Sequence, residues 1–398
     1  MSVISRSVFH SQLFPPSPFR SRCIMSVYLN NATTGYPKAI SAVQAYSAAL
    51  QSIPSDVRHS AEPQIELVRA RIASLLGVDH THLFFLSDAT LALNAVIRGY
   101  VGPGDHCVTD NRSHNAVLRT LNGMPGLSWQ VARIHDLHEE PDFFFLDVID
   151  EPKLVCLTHT SNVTGSVYDV TTLIKRIRSR FPKAAVLVDA SQSVGFCPID
   201  DLDDADFIVF PAHKHLHSMP GAAVLVARRR LVPFILGGTG SNSAELALGD
   251  TGGNFLEVGT PNLPAILALG AALEEQNEGA HDIRRRIENL TEMLWSGLLS
   301  VPGIEPLGRR PYQRRSGVVA CKLPGSPEAD WIPFLRSQDI IARGGLHCAP
   351  TIHEELGLGN IGTLRFSISR FTREDEIRSA VEAVQVFADF VAGETIRP

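Results

Sequence analysis

The sequence predicts an α/β fold: a large domain on a mostly parallel sheet flanked by helices, then a small C-terminal α+β domain. Three observations predict it. Short apolar runs alternate with helical patterns along most of the chain, as strand-helix-strand units of a parallel sheet do. A long amphipathic helix follows them, and after it short strand-like runs again alternate with helices. At 398 residues the chain also exceeds what one hydrophobic core comfortably holds.

In chain order, residues 1–24 contain Ser, Arg and Phe but no acid, the composition of an organelle transit peptide, although Pro15, Pro16 and Pro18 interrupt any long amphipathic helix. A targeting segment and a disordered tail or upstream start both stay open, and the stretch is placed outside the fold. Residues 25–40 read as an arm, 41–275 as the large domain and 276–398 as the small one. Phe84 to Leu86 is a short strand, followed by a helix with Ser87 marking its start and Gly99 its end. His106 to Thr109 is a strand that leads to His114. The run LVCLTHTSN precedes a helix with Val170, Leu173, Ile174 and Ile177 on one face, and the strand AVLVDA follows. Further strands fit Phe207 to Pro211 and Ala222 to Ala227. The long helix carries Ile283, Ile287, Leu290, Leu294 and Leu298 at helical spacing and stops at Pro302 and Gly303. A last helix starts near Thr372 with Asp375 in the capping-box position.

A formal charge of −6 without a long basic run argues against nucleic acid as a main partner. No apolar stretch approaches the ~20 residues of a membrane helix, so a soluble protein is expected. Cys23, Cys107, Cys156, Cys197, Cys321 and Cys348 are scattered, with no second cysteine at metal-ligand spacing, which argues against zinc and against a disulfide framework. Cys107 and Cys156 lie in apolar runs as core thiols would, and a reducing cytosol is the compartment expected.

Chemistry enters at two strand ends. Asp189 closes the run Val186, Leu187, Val188, and Lys214 follows the run Phe207 to Phe210. An acid and an amine projecting from neighbouring strand ends are what a pyridoxal phosphate site needs: the amine to carry the aldehyde, the carboxylate to keep the pyridine nitrogen protonated. The helix start after Ser87 offers free N–H groups for a phosphate, and His114 could lay its ring over a flat cofactor. Each of these residues alone reads more plainly as a solvated lysine, a capped helix or a satisfied histidine. Ligands of open parallel sheets bind beyond the carboxyl ends of the strands, where all of them stand.

The segments YLNNATTGYP, FFLSDATLALN, SHNAVLRTL, THTSNVTG, VDASQSVG, FPAHKHL, GGTGSNS, LEVGTPN, RGGLHCAP and GTLRFSISRF occur in one order from Tyr28 to Phe371. Together the sequence resembles the cysteine desulfurase and selenocysteine lyase group of the class V aminotransferase-like, fold type I pyridoxal phosphate enzymes. The resemblance implies a seven-stranded-type sheet and an arm that joins the small domain or lies across the cleft. It implies that Ala89 and Thr90 contact the cofactor phosphate, with His213 adding a side chain and Thr260 reaching over from a partner subunit, hence a homodimer with shared sites. Asn162 and Gln192 would hold the ring oxygen, His114 would stack on the ring, Arg365 would grip the substrate carboxylate, and Asn31 and His59 would lie near the substrate.

Cys348, on a loop between a Gly-Gly pair and a proline, reads alone as an inert thiol, but the resemblance of its segment to the desulfurase RxGxHCA stretch implies the thiol that sulfur removal needs and transamination does not. The implied reaction converts L-cysteine to L-alanine: Lys214 takes the α-proton, the Cys348 thiolate attacks the substrate sulfur, and a persulfide is left for an acceptor protein. His347 or Arg343 would help to ionise the thiol. Selenocysteine is the variant substrate, and the alternative reaction is that of a class V aminotransferase, epimerase or C–S lyase. Three departures bear on substrate preference: Asn30 stands where many relatives have aspartate, Leu91 where a glutamate is frequent, and His215 and His217 crowd the loop after Lys214.

Overall fold

The computed structural model describes residues 26–52, 57–133, 150–197, 202–238, 244, 255–308, 315–322 and 328–395. Residues 1–24, and with them the targeting question, lie outside the described residues. The strands in chain order are β1 (Val27–Tyr28), β2 (Leu83–Leu86), β3 (His106–Asp110), β4 (Ser128–Ala132), β5 (Leu154–Thr158), β6 (Ala185–Asp189), β7 (Phe207–Pro211), β8 (Ala223–Ala227), β9 (Glu305–Pro306), β10 (Val318–Lys322), β11 (Ile340–Ile341), β12 (Arg343–Gly345) and β13 (Thr363–Ser367). The helices used below are α1 (Ala89–Tyr100), α2 (Asn115–Asn122), α3 (Val170–Arg180), α4 (Leu263–Glu278), α5 (Ala280–Ser300) and α6 (Glu374–Thr395).

Seven strands form the main sheet in the order β2-β8-β7-β6-β5-β3-β4, and β8 alone runs against the rest. This is the mostly parallel α/β sheet that the alternating runs predict. Both of its faces are buried, which is why its strands read as unbroken apolar runs. Alternate residues separate into two cores: Val186, Val188, Ile208, Phe210, Val224 and Val226 face one helical layer, and Ala185, Leu187, Phe207, Val209, Leu225 and Ala227 the other. The face of α3 buries the predicted Val170, Leu173, Ile174 and Ile177.

A four-stranded antiparallel sheet, β12-β13-β10-β9, lies in the C-terminal part. Leu290, Leu294 and Leu298 of α5 pack there with Val319, Trp331, Leu364 and Phe366. The arm enters this second core through Leu29, and β1 pairs in parallel with β11. It then crosses to the large sheet, where Ala32 O accepts from Gln192 Nε2 at 2.9 Å and Gly35 N donates to His213 O at 2.7 Å.

Three helix boundaries differ from the sequence reading. Asp88, not Ser87, caps α1, accepting from Leu91 N at 2.9 Å. The helix also runs past Gly99 to Tyr100, because that glycine serves close packing: a Cβ there would stand 2.5 Å from Val232 O. At the last helix, Glu376 rather than Asp375 reaches back, accepting from Arg373 N at 2.8 Å, while Asp375 pairs with the Arg373 side chain. The box is shifted by one residue. Among the described residues, no helix is long and apolar enough to cross a membrane.

Candidate active site

A cleft lies beyond the carboxyl ends of β3, β5, β6 and β7, and Ala89, Thr90, Arg112, His114, Asn162, Asp189, Gln192 and Lys214 all line it. Asp189 is the last residue of β6, and Ser191 N donates to its Oδ1 at 3.0 Å. Lys214 follows β7. Burial lowers its amine to about 8; Asp189 pulls the other way, and Arg365 and Arg343 add to the lowering. His114 caps α2, its Nδ1 accepting from Ala116 N at 3.0 Å, which leaves the ring proton on Nε2. Burial, and then the neighbouring Lys214, push that imidazole down to about 4, so it is a neutral ring.

Arg365, on β13, is only 1% exposed. It donates to Asn162 O at 2.9 Å, to Thr33 Oγ1 at 3.1 Å and to Asn30 Oδ1 at 3.4 Å, while its Nε is buried without a hydrogen-bond partner. No carboxylate pairs with it among the described residues, and burial brings it down to about 9, with Arg343 adding to the effect. An uncompensated buried guanidinium is costly, and an anion arriving at it removes that cost. Arg343 donates to the same Thr33 Oγ1 at 3.1 Å and from its other terminal nitrogen to Cys348 Sγ at 3.8 Å.

Cys348 is partly exposed and sits on a tight loop: Gly345, His347 and Cys348 have φ of 107°, 51° and 60°. Cys348 O accepts from Asn115 N at 2.7 Å, and His347 O accepts from Asn162 Nδ2 at 2.7 Å, so the loop is pinned to the residues on either side of the cleft. His347 does not serve the thiol as a cation. It is buried, bonded through Nε2 to Thr363 Oγ1 at 3.0 Å, and held well below the ordinary histidine range by desolvation and then by Arg365. Arg343 is the cation beside Cys348.

Of the other predicted residues, Gln192 joins Ala32 O to His215 Nε2, the latter at 2.9 Å. His213 is not among the residues lining the cleft; its Nδ1 stands 3.2 Å from Thr34 Oγ1. Asn31 is buried with both polar atoms on backbone, Nδ2 on Ser367 O at 2.8 Å and Oδ1 on Tyr36 N at 3.0 Å. Thr260 is exposed and lines a different, open pocket with Ser87, Phe234 and Ile235. His59 falls in the helix Val57–Leu75, and its side chain lies outside the described residues. The two unexpected histidines are structural ties: His215 to Gln192, and His217 Nδ1 to Pro37 O at 2.8 Å. Sequence reasoning missed Arg112, whose guanidinium stacks 3.6 Å over the Tyr168 ring, and Thr33, Thr34 and Lys38 of the arm. Arg112 stands two residues before His114, which was the available signal.

These residues fit pyridoxal phosphate. A buried amine held near neutrality, an acid at the neighbouring strand end, a neutral imidazole and an exposed helix start at Ala89 and Thr90 line one cleft, and the buried Arg365 guanidinium, which has no carboxylate partner among the described residues, stands next to it through its bond to Asn162 O. Comparison with known proteins agrees. The family profile described as aminotransferase class-V matches residues 27–379. A cysteine desulfurase of Pectobacterium atrosepticum is 30% identical over 342 residues, covering 81% of each chain. The apo structure of a cysteine desulfurase from Thermococcus onnurineus NA1 superposes with a TM-score of 0.80 at 25% identity, covering 92% of this chain and 95% of that one. A cystine C–S lyase, C-DES, shares the fold at 19% identity with a TM-score of 0.77, covering 90% of this chain and 97% of that one. The chain belongs to the class V aminotransferase family.

Proposed function

We infer that the protein is a pyridoxal phosphate-dependent cysteine desulfurase, which converts L-cysteine to L-alanine and retains the sulfur as a persulfide on Cys348. The observation that carries the reading is geometric: Lys214 and Asp189 line one cleft with Asn162, Arg365 donates to the Asn162 carbonyl and shares Thr33 Oγ1 with Arg343, and Arg343 reaches Cys348 Sγ, so base, acid, carboxylate clamp and sulfur nucleophile form one cluster. Pyridoxal phosphate, when bound, supplies an electron-accepting ring.

With pyridoxal phosphate bound, Asp189 would hold a proton at the ring nitrogen, His114 would stack on the ring, and Asn162 and Gln192 would hold its oxygen. Ala89, Thr90 and His213 would take the phosphate. Arg365 binds the substrate carboxylate as a fork, with Asn31 holding the arm behind it and His59 near the substrate. Lys214, whose amine burial brings down to about 8, removes the α-proton in its neutral form and later returns one. Arg343 holds Cys348 Sγ at 3.8 Å, and the thiolate of Cys348 attacks the substrate sulfur: an S–S bond forms, the C–S bond breaks, and alanine leaves after protonation.

Thr260 acts on the phosphate of a partner's site, making the enzyme a homodimer with shared sites, and an acceptor protein collects the persulfide sulfur. A thiol with this task requires a reducing compartment, which we take to be the cytosol.

The test is Cys348→Ala. That variant should keep its cofactor and bind cysteine yet form no persulfide, while mass spectrometry of the wild type after one turnover finds one extra sulfur on the Cys348 peptide. An unmodified peptide together with full-rate cysteine turnover by Cys348→Ala would sink the desulfurase reading.

A further inference from the structure

The arm places a chain of polar groups behind the lysine loop. Lys38 Nζ lies 3.2 Å from Thr34 Oγ1 and 3.4 Å from His213 O, and Thr34 Oγ1 lies 3.2 Å from His213 Nδ1. An ammonium only donates, so Thr34 Oγ1 accepts from Lys38 and has one proton of its own to place. It can go to His213 O, at 3.2 Å, or to His213 Nδ1. The carbonyl already accepts Gly35 N at 2.7 Å and faces Lys38 as well. Nδ1 is therefore the better acceptor.

Charge selects the same arrangement. A neutral imidazole has one N–H end and one lone-pair end, and a cation on the Nδ1 side favours the lone pair there. His213 is kept neutral, pushed down to about 4 by burial first and then by Lys214 and Lys38, while the Asp88 carboxylate at the start of α1 acts on it in the opposite sense.

We propose that Lys38 and Thr34 are positioning residues that fix His213 as its Nε2–H tautomer, so that the ring presents a hydrogen-bond donor to the phosphate end of the site. The proposal rests on the reading above that His213 faces the cofactor phosphate.

The experiment compares the cofactor-free full chain with pyridoxal phosphate and with pyridoxal, which lacks the phosphate. Thr34→Val and Lys38→Met should each bind pyridoxal phosphate about tenfold more weakly, the worth of one charge-assisted hydrogen bond, and pyridoxal as well as the wild type does. Thr34→Ser and Lys38→Arg should return most of the loss. An equal loss for both ligands would reduce the pair to a general structural role, and no loss for either would overturn the proposal outright. Nitrogen NMR of 15N-histidine-labelled protein without cofactor reads the relay directly: His213, assigned by its absence in His213→Gln, should be the Nε2–H form in the wild type and a mixture in Thr34→Val. An unchanged tautomer in Thr34→Val overturns the relay. If His213→Gln keeps the full preference for pyridoxal phosphate over pyridoxal, the phosphate reading of His213 fails, and the NMR result decides the relay separately.

Discussion

Lys214 owes its chemistry to its surroundings. An exposed lysine titrates near about 10.4 and is almost wholly protonated at neutral pH. Here burial lowers the amine to about 8, with Asp189 opposing and two arginines assisting. The neutral amine is the form that condenses with an aldehyde, and its fraction rises as pH passes the folded-state value. Covalent attachment of pyridoxal phosphate to the cofactor-free protein should therefore accelerate up to about pH 8 and level off above it. Borohydride trapping followed by mass spectrometry reads the rate; a rate still climbing toward pH ~10 would mean an amine with the ordinary lysine value. Lys214 and Asp189 were legible in the sequence because each follows an apolar run that can only be a buried strand. The environment of Arg365 was not. Its guanidinium meets the amide of Asn30, which leaves the positive charge uncompensated for an incoming anion. Which neighbour serves the thiol also needed coordinates: His347 and Arg343 are both close to Cys348 in sequence, yet the left-handed backbone at His347 and Cys348 sends the imidazole to Thr363 and leaves the guanidinium at the sulfur.

At the scale of elements, the strands declared themselves and the arm did not. A parallel strand buried on both faces has to be an apolar run, so β5, β6 and β7 matched their sequence segments closely. The arm from Val27 to Ala39 has little regular structure, and its position comes from contacts distant in sequence: β1 on β11, Asn31 on Ser367, Ala32 on Gln192, Gly35 on His213 and Ala39 on His217. Gly35 is the closest of these approaches. A Cβ there would overlap the Lys214 carbonyl oxygen and come within 2.8 Å of His217 Nδ1, and backbone cannot give way as a flexible side chain can. Gly35→Ala should therefore push the arm off the lysine loop, destabilising the chain by about 1–3 kcal/mol, the usual range for overpacking, and reducing activity more than that loss explains. Thermal denaturation and turnover measured on the same sample separate the two effects. Unchanged activity in a folded Gly35→Ala protein would show that the arm can shift without disturbing Lys214.

For the whole molecule, one chain leaves the site short of a residue that the reading assigns to it. Thr260 lines an open pocket between Leu86, Phe234, Ile235 and Val258, apart from the cleft that holds Lys214. No sequence pattern distinguishes a residue that serves its own cleft from one that serves a neighbour's, because both stand on loops before a proline. The surface around Thr260 favours the second role. Val232 is 66% exposed, Ile235 43% and Leu236 75%, a row of apolar side chains beside an apolar-lined hollow that an isolated soluble chain would not ordinarily keep. If a second copy covers this face and brings its Thr260 to the phosphate, a charge placed in the row should break two things at once. Leu236→Asp should elute as a single chain where the wild type has twice that mass by light scattering, and it should hold pyridoxal phosphate at least tenfold more weakly, since the partner's hydroxyl has gone with the partner. Thr260→Val should leave the mass unchanged and weaken the cofactor alone. A Leu236→Asp protein that is monomeric yet retains its cofactor at wild-type affinity would confine each site to one chain and remove Thr260 from it.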